Sequence, residues 1–144
     1  MPLTNRARIE APVGPRVVAE LLAEARDPAS SPAEQDAQAL ARLDAALQAG
    51  DNLVAQFLPL PEPADASEVL IQFATDEALY YLRQKSKGGA SESDHIAAQD
   101  RRRDLKDMRK REQWPGSPKG QRSARACIVE SSSRFRQDRL KGFV

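Results

Sequence analysis

Few residues in this chain have the type and spacing that covalent or metal chemistry requires. There is one cysteine, Cys127, and one histidine, His95. A lone cysteine cannot close an internal disulfide. Structural zinc takes four ligands, more than this pair supplies, so no metal and no cofactor is expected. Cys127 reads as a small apolar residue within Ala126-Cys127-Ile128-Val129. His95 lies in a Ser/Glu/Asp stretch and reads as solvated. Carboxylate neighbours such as Asp76-Glu77 exist, but adjacent residues on a helix point to different sides, and the pair reads as an exposed helix face. Gly88-Gly89 lacks both the following Lys-Ser/Thr and the preceding strand of a phosphate loop. With no catalytic constellation, the expectation is a protein that is not an enzyme.

Recognition chemistry is better represented. Residues 101–111 hold seven basic and two acidic side chains. Within them Arg101, Arg102, Arg103, Arg109, Lys110 and Arg111 are candidates for contact with an acidic partner or with phosphates. No aromatics are interleaved and no reading-head motif is present, so specific base readout is not expected. A second group closes the chain: Arg134, Phe135, Arg136, Arg139, Leu140, Lys141, Gly142, Phe143 and Val144. Apolar anchors set among cations suit an arm that orders on a neighbouring protein, trading conformational entropy for wide contact.

The net charge of +1 conceals an asymmetry. Residues 1–100 carry eight basic and sixteen acidic side chains, a net of −8, whereas residues 101–144 carry fourteen and five, a net of +9. A dipolar chain of this kind favours head-to-tail association or docking onto an acidic partner. Aromatics are only 5% of residues, so a core must come from Leu, Val, Ile and Ala. No stretch is long and apolar enough to cross a bilayer. The first ten residues lack the apolar centre of a signal peptide, and a cytoplasmic site of synthesis and assembly is expected.

The elements that must position these groups are helical. The spacing predicts an all-α chain: an irregular leader over 1–14, a bundle of about four helices over 15–115, and an extended basic C-terminal arm over 116–144. Val17, Val18, Leu21, Leu22 and Ala25 predict a short helix from Pro15. Ser31, Pro32 and Glu34 form a capping box with Pro at the first helical position. The helix they open carries Leu40, Leu43, Leu47, Val54 and Phe57 on one predicted face. Gly50 interrupts that face, which a close helix crossing would explain. Pro59, Pro61 and Pro63 predict an extended connector. The next helix, capped at Asp65 or Ser67, has Val69, Leu70, Phe73, Ala74, Ala78, Tyr81 and Leu82 as a broad apolar face and ends before Lys87-Gly88-Gly89. The last runs from near Ser91 or Ser93 to about Gln113 with a thin apolar face of Ile96, Ala97, Leu105 and Met108. Trp114-Pro115-Gly116 stops it, with Trp114 read as a packing lid.

The order of these features resembles a phage family. A Leu/Ala helix runs into Phe57-Leu58-Pro59-Leu60. A Pro-containing link leads to a helix with Ala74, Asp76, Ala78, Tyr80-Tyr81 and Leu82. A charged helix with Arg101 to Met108 and a stop at Pro115-Gly116 follow, and the chain closes on Arg134-Phe135-Arg136 and Lys141-Gly142-Phe143-Val144. Over roughly residues 32–144 this is similar to the neck proteins of Mu-like phages and prophages, the head-tail connector or head-completion adaptors. The charged helix here is richer in arginine than the family pattern. The resemblance implies a virion structural protein: a helical adaptor arranged with its copies as a ring below the portal protein. Such a ring extends the DNA channel and meets the stopper or tail-terminator proteins of the neck. It also implies that the terminal arm docks on the portal or on a sister subunit. The alternative from the basic residues is a sequence-independent nucleic-acid-binding or regulatory helical protein.

Overall fold

Ser31 opens the longest element. Its hydroxyl accepts from the Glu34 amide while the Glu34 carboxylate accepts from the Ser31 amide, so two of the orphan donors at a helix start are satisfied reciprocally. The computed structural model of this 144-residue chain describes residues 2–111, and within them there are five helices and no strand. These are α1 (Arg6–Val13), α2 (Pro15–Ala23), α3 (Pro32–Phe57), α4 (Glu68–Lys85) and α5 (Glu92–Arg111). The all-α expectation holds. The predicted arm over 116–144, with the stop at Trp114-Pro115-Gly116, lies outside the described residues.

The predicted irregular leader is instead built structure. Asn5 caps α1 by accepting from the Arg8 amide. Pro12 is accommodated in the last turn of α1, and Gly14, at φ 91°, turns the chain into α2. That conformation is open to glycine and disfavours a side chain. Leu3 and Ile9 are buried, the Leu3 amide donates to Asp51 Oδ1 of α3 at 2.9 Å, and the hydroxyls of Thr4 and Thr75 meet at 2.7 Å. Since Thr75 also donates to the Ile71 carbonyl, its oxygen is left to accept from Thr4. Breaker residues at 2, 12 and 14 argued for irregularity, but long-range burial of Leu3 and Ile9 outweighed them.

α3 and α4 form the most extensive helix pair. The buried line of α3 is Ala39, Leu43, Ala46, Gly50, Leu53 and Val54. Of the predicted line, Leu43 and Val54 are buried, Leu47 and Phe57 are half-buried, and Leu40 is 58% exposed. The correction has a physical cause. Gly50 meets the Ala74 backbone of α4, while Ala39 sits beside Ala19 and Leu22 of α2, so the buried face is turned toward Ala39, Ala46 and Gly50 and leaves Leu40 outside it. Along α4, Leu70, Ala74, Ala78 and Leu82 are buried as expected, Phe73 and Tyr81 are half-buried, and Val69 is exposed.

The core falls into two adjoining clusters. One gathers Ile9, Val18, Leu22, Leu43, Ala78 and Leu82, where α1 and α2 close over the upper turns of α3 and α4. The other gathers Leu3, Leu53, Val54, Leu58, Leu70, Ala74 and Leu105, with Phe57, Phe73 and Met108 packed against it. Only through Ala98 and Leu105 does α5 bury fully, and Ile96 and Ala97 are exposed.

Candidate functional site

A helix with two deeply buried side chains in 20 residues needs another anchor, and Glu77 provides it. Although Asp76-Glu77 reads as an exposed face, Glu77 is only 7% exposed on the α4 surface that meets α5. Its two oxygens accept from Arg101 at 3.0 Å and from Arg102 at 2.8 Å. The Arg101 guanidinium is itself largely buried and lies over the Tyr80 ring. Its Nε has no hydrogen-bond partner among the described residues. A buried carboxylate shared between two guanidiniums fixes the register of α5 on α4 in a way its thin apolar stripe cannot.

The same helix is held again near its start. Ser91 and Asp94 exchange bonds, the Ser91 amide donating to Asp94 Oδ2 at 3.0 Å and the Asp94 amide to the Ser91 hydroxyl at 3.2 Å. Arg83 of α4 donates to the other Asp94 oxygen at 2.7 Å. The Ser91 amide above all, then the Ser91 hydroxyl and the Arg83 charge, hold the Asp94 carboxyl below its ordinary range against the opposing effect of partial burial. His95, read as solvated, is exposed but engaged: its Nδ1 lies 2.7 Å from the Tyr80 hydroxyl, with the rings edge to face.

With its register fixed, α5 sorts its charges onto two sides. Arg102, Arg103, Lys106, Arg109 and Lys110 line an open groove of about 690 Å³ together with Phe57 at the end of α3. Residues three and four apart share a helix face, which is why 102, 106 and 109–110 converge. Asp104, Asp107, Met108 and Arg111 face the other way, around Phe73. Of the six basic candidates in this helix, Arg102, Arg103, Arg109 and Lys110 are thus brought together. Arg101 is committed to Glu77, and Arg111 belongs to the opposite side. Arg103 is also paired with Asp100 at the surface. Lys106 and Phe57 are additions that sequence reasoning missed. Lys106 was within reach through its helical spacing, whereas Phe57 comes from another element and nothing local announces it.

The groove suits recognition of negative charge. Five cationic side chains line it beside Phe57; Arg102 is bonded to Glu77 and Arg103 to Asp100, whereas Lys106, Arg109 and Lys110 have no ion-pair partner among the described residues, a mixture that can meet phosphates or a carboxylate-rich protein surface. The other docking candidates, Arg134, Phe135, Arg136, Arg139, Leu140, Lys141, Gly142, Phe143 and Val144, lie outside the described residues, as does Cys127. Among the described residues no cluster of His, Cys, Asp and Glu could hold a metal ion, and no helix is long and apolar enough to cross a membrane. Comparison of the chain with protein-family models, curated proteins and solved structures gave no match.

Proposed function

We propose that this chain is a structural adaptor of a phage neck, assembled in the host cytoplasm and incorporated into the virion between the portal protein and the tail-side neck proteins. The observation that carries the reading is the segregation of charge around α5. A cationic groove lined also by Phe57 is mounted on a bundle whose first 100 residues are net acidic. Copies of such a molecule associate head to tail, the cationic face of one against the acidic surface of the next. A heterologous contact of that kind closes into a ring when its rotation permits. The resemblance of residues 32–144 to the neck proteins of Mu-like phages supports the same reading. So does the ending Arg134-Phe135-Arg136 to Lys141-Gly142-Phe143-Val144, as an arm for the portal or a sister subunit. A ring of this kind would pass genomic DNA without reading its sequence.

The test is incorporation into particles. Mass spectrometry of purified virions should find the chain. Deleting residues 133–144 should leave the bundle folded, abolish incorporation and leave DNA-filled heads without tails. Absence of the chain from virions, or normal infectivity of the truncated form, would end the proposal.

A second reading draws on the groove itself. Arg102, Arg103, Lys106, Arg109 and Lys110 could contact a nucleic-acid backbone without sequence preference. The observed affinity would then fall steeply with salt, with a log–log slope of about −0.9 per phosphate contacted in duplex DNA. An adaptor with no measurable DNA affinity in solution but stable association with its portal excludes this reading.

A further inference from the structure

Helix α5 carries surfaces of opposite charge on its two sides, and each mixes charge with apolar area. On one side is the groove of Arg102, Arg103, Lys106, Arg109 and Lys110 with Phe57. On the other, Phe73 is shared by two adjoining depressions, one of about 420 Å³ with Asp104, Asp107, Met108 and Arg111, the other of about 290 Å³ with Glu68, Val69, Gln72 and Asp76. Together the depressions form a strip across α5 and α4 whose apolar part is Phe73, Met108 and Val69. Its lining holds four carboxylates and one guanidinium, a net of −3. Glu68 is bonded to Arg8, and Asp76 accepts from Gln72. Asp107 stands three and four residues before Lys110 and Arg111, the spacing of a local helix pair. Yet neither it nor Asp104 has an ion-pair partner among the described residues, and the same holds for Lys106, Arg109 and Lys110.

We propose, resting on the adaptor reading above, that the strip of one copy is the seat for the groove of the next, with Lys106 and Lys110 against Asp104 and Asp107 and with Phe57 toward Phe73 and Met108. The two surfaces match in charge, and each carries its unpaired charges three or four residues apart, on one face of the helix. Neither surface complements itself, since groove on groove or strip on strip sets like charges face to face. One two-fold contact cannot seat both grooves at once either, because groove and strip lie on opposite sides of a helix about 10 Å across. What remains is a heterologous contact in which α5 is the spacer between successive copies. The aromatic and Met side chains supply the apolar centre of such an interface. The charges around them set orientation and encounter rate.

The full-length chain, followed by sedimentation velocity, should associate beyond a dimer as its concentration rises, and added salt should weaken the association as exposed charges are screened. Two charge reversals probe the two faces: Lys106→Glu with Lys110→Glu in the groove, and Asp104→Lys with Asp107→Lys in the strip. None of the four residues is buried, so the helical circular-dichroism melt should stay in place. Each variant alone should associate about tenfold more weakly, because like charges then meet. An equimolar mixture of the two should recover association, since every contact in an alternating stack again joins opposite signs. A wild-type chain that stays monomeric at millimolar concentration would overturn the proposal. So would a wild type that stops at a dimer, an association that only one reversal weakens, or a mixture that fails to recover. Loss of duplex-DNA binding in the groove variant with unchanged self-association would assign the groove to nucleic acid and overturn it equally. Each of these results leaves the neck reading to the search for the chain in virions, whereas absence from virions would end that reading with the association intact.

Discussion

Gly50 and Ala74 bring α3 and α4 together backbone to backbone. A Cβ built on Gly50 would strike the Ala74 carbonyl oxygen and lie 3.0 Å from its carbonyl carbon. The neighbour is main chain and cannot rotate away, so the two helices touch backbone to backbone at this pair. A glycine that costs the isolated helix about 1 kcal/mol relative to alanine is therefore retained by packing.

Gly50→Ala should destabilise the protein despite its better helix propensity. Overpacking costs ~1–3 kcal/mol, and a rigid partner argues for the upper part of that range. After the ~1 kcal/mol propensity gain, a net loss of about 2 kcal/mol remains. For a domain of this size that is a fall in Tm on the order of 10 °C. Gly88→Ala, where a Cβ meets nothing within 4 Å, serves as the control. A Tm for Gly50→Ala at or above wild type would show that the helices can part.

The Glu77 latch should matter more than any surface pair. Removing one partner of a buried ion pair leaves the other charge stranded, at a cost of ~3–5 kcal/mol. Glu77→Ala strands Arg101 in this way and should loosen α5 first, seen as faster amide exchange across residues 95–108 than across α3. Asp100→Ala, which frees only the exposed Arg103, should cost ~0–1 kcal/mol. Equal effects of the two changes would refute the latch.

Leu40 and Leu70 separate apolar residue type from apolar environment. Leu70 is 2% exposed and Leu40 is 58% exposed. Leu70→Ala should lose ~2–5 kcal/mol in chemical denaturation, while Leu40→Ala, on the surface, should stay within ~0.5 kcal/mol. Similar losses at the two positions would mean that the face of α3 is misassigned.

Asp94 gives a pH dependence with a definite sign. Its carboxyl titrates below the ordinary value of 3.8 in the folded protein. A group with a depressed folded pKa contributes stability that is fully present above its unfolded pKa and is lost as pH falls through the folded one. Asp94→Asn removes the charge that meets Arg83 and weakens the α5 cap, so it should lower Tm at pH 7. The gap between variant and wild type should narrow only below about pH 4. A gap unchanged down to pH 2 would show that charge plays no part in the cap.

Local chemistry determined the helices. Ser31-Pro32 with Glu34 set the start of α3, and Ser67 set the start of α4, because a cap is a bond between residues three apart and is legible wherever the chain goes. The odd placement of Gly50 was legible as well, since a glycine inside a strong helix asks for a close neighbour. The partner at Ala74 was not, because nothing near position 50 names it. The same limit hid α1, whose breakers are local and whose anchors, Asp51 and Thr75, lie 48 and 71 residues away from the groups they hold. The cationic run of α5 was visible as composition, but its use was a tertiary matter. Only the docking of α5 on α4 decided that Arg101 turns inward to Glu77, that Arg102, Arg103, Lys106, Arg109 and Lys110 gather around Phe57, and that Asp104 and Asp107 face Phe73. A helix of period 3.6 distributes a charge run around its whole circumference, and the partner helix, not the run, selects which side meets water.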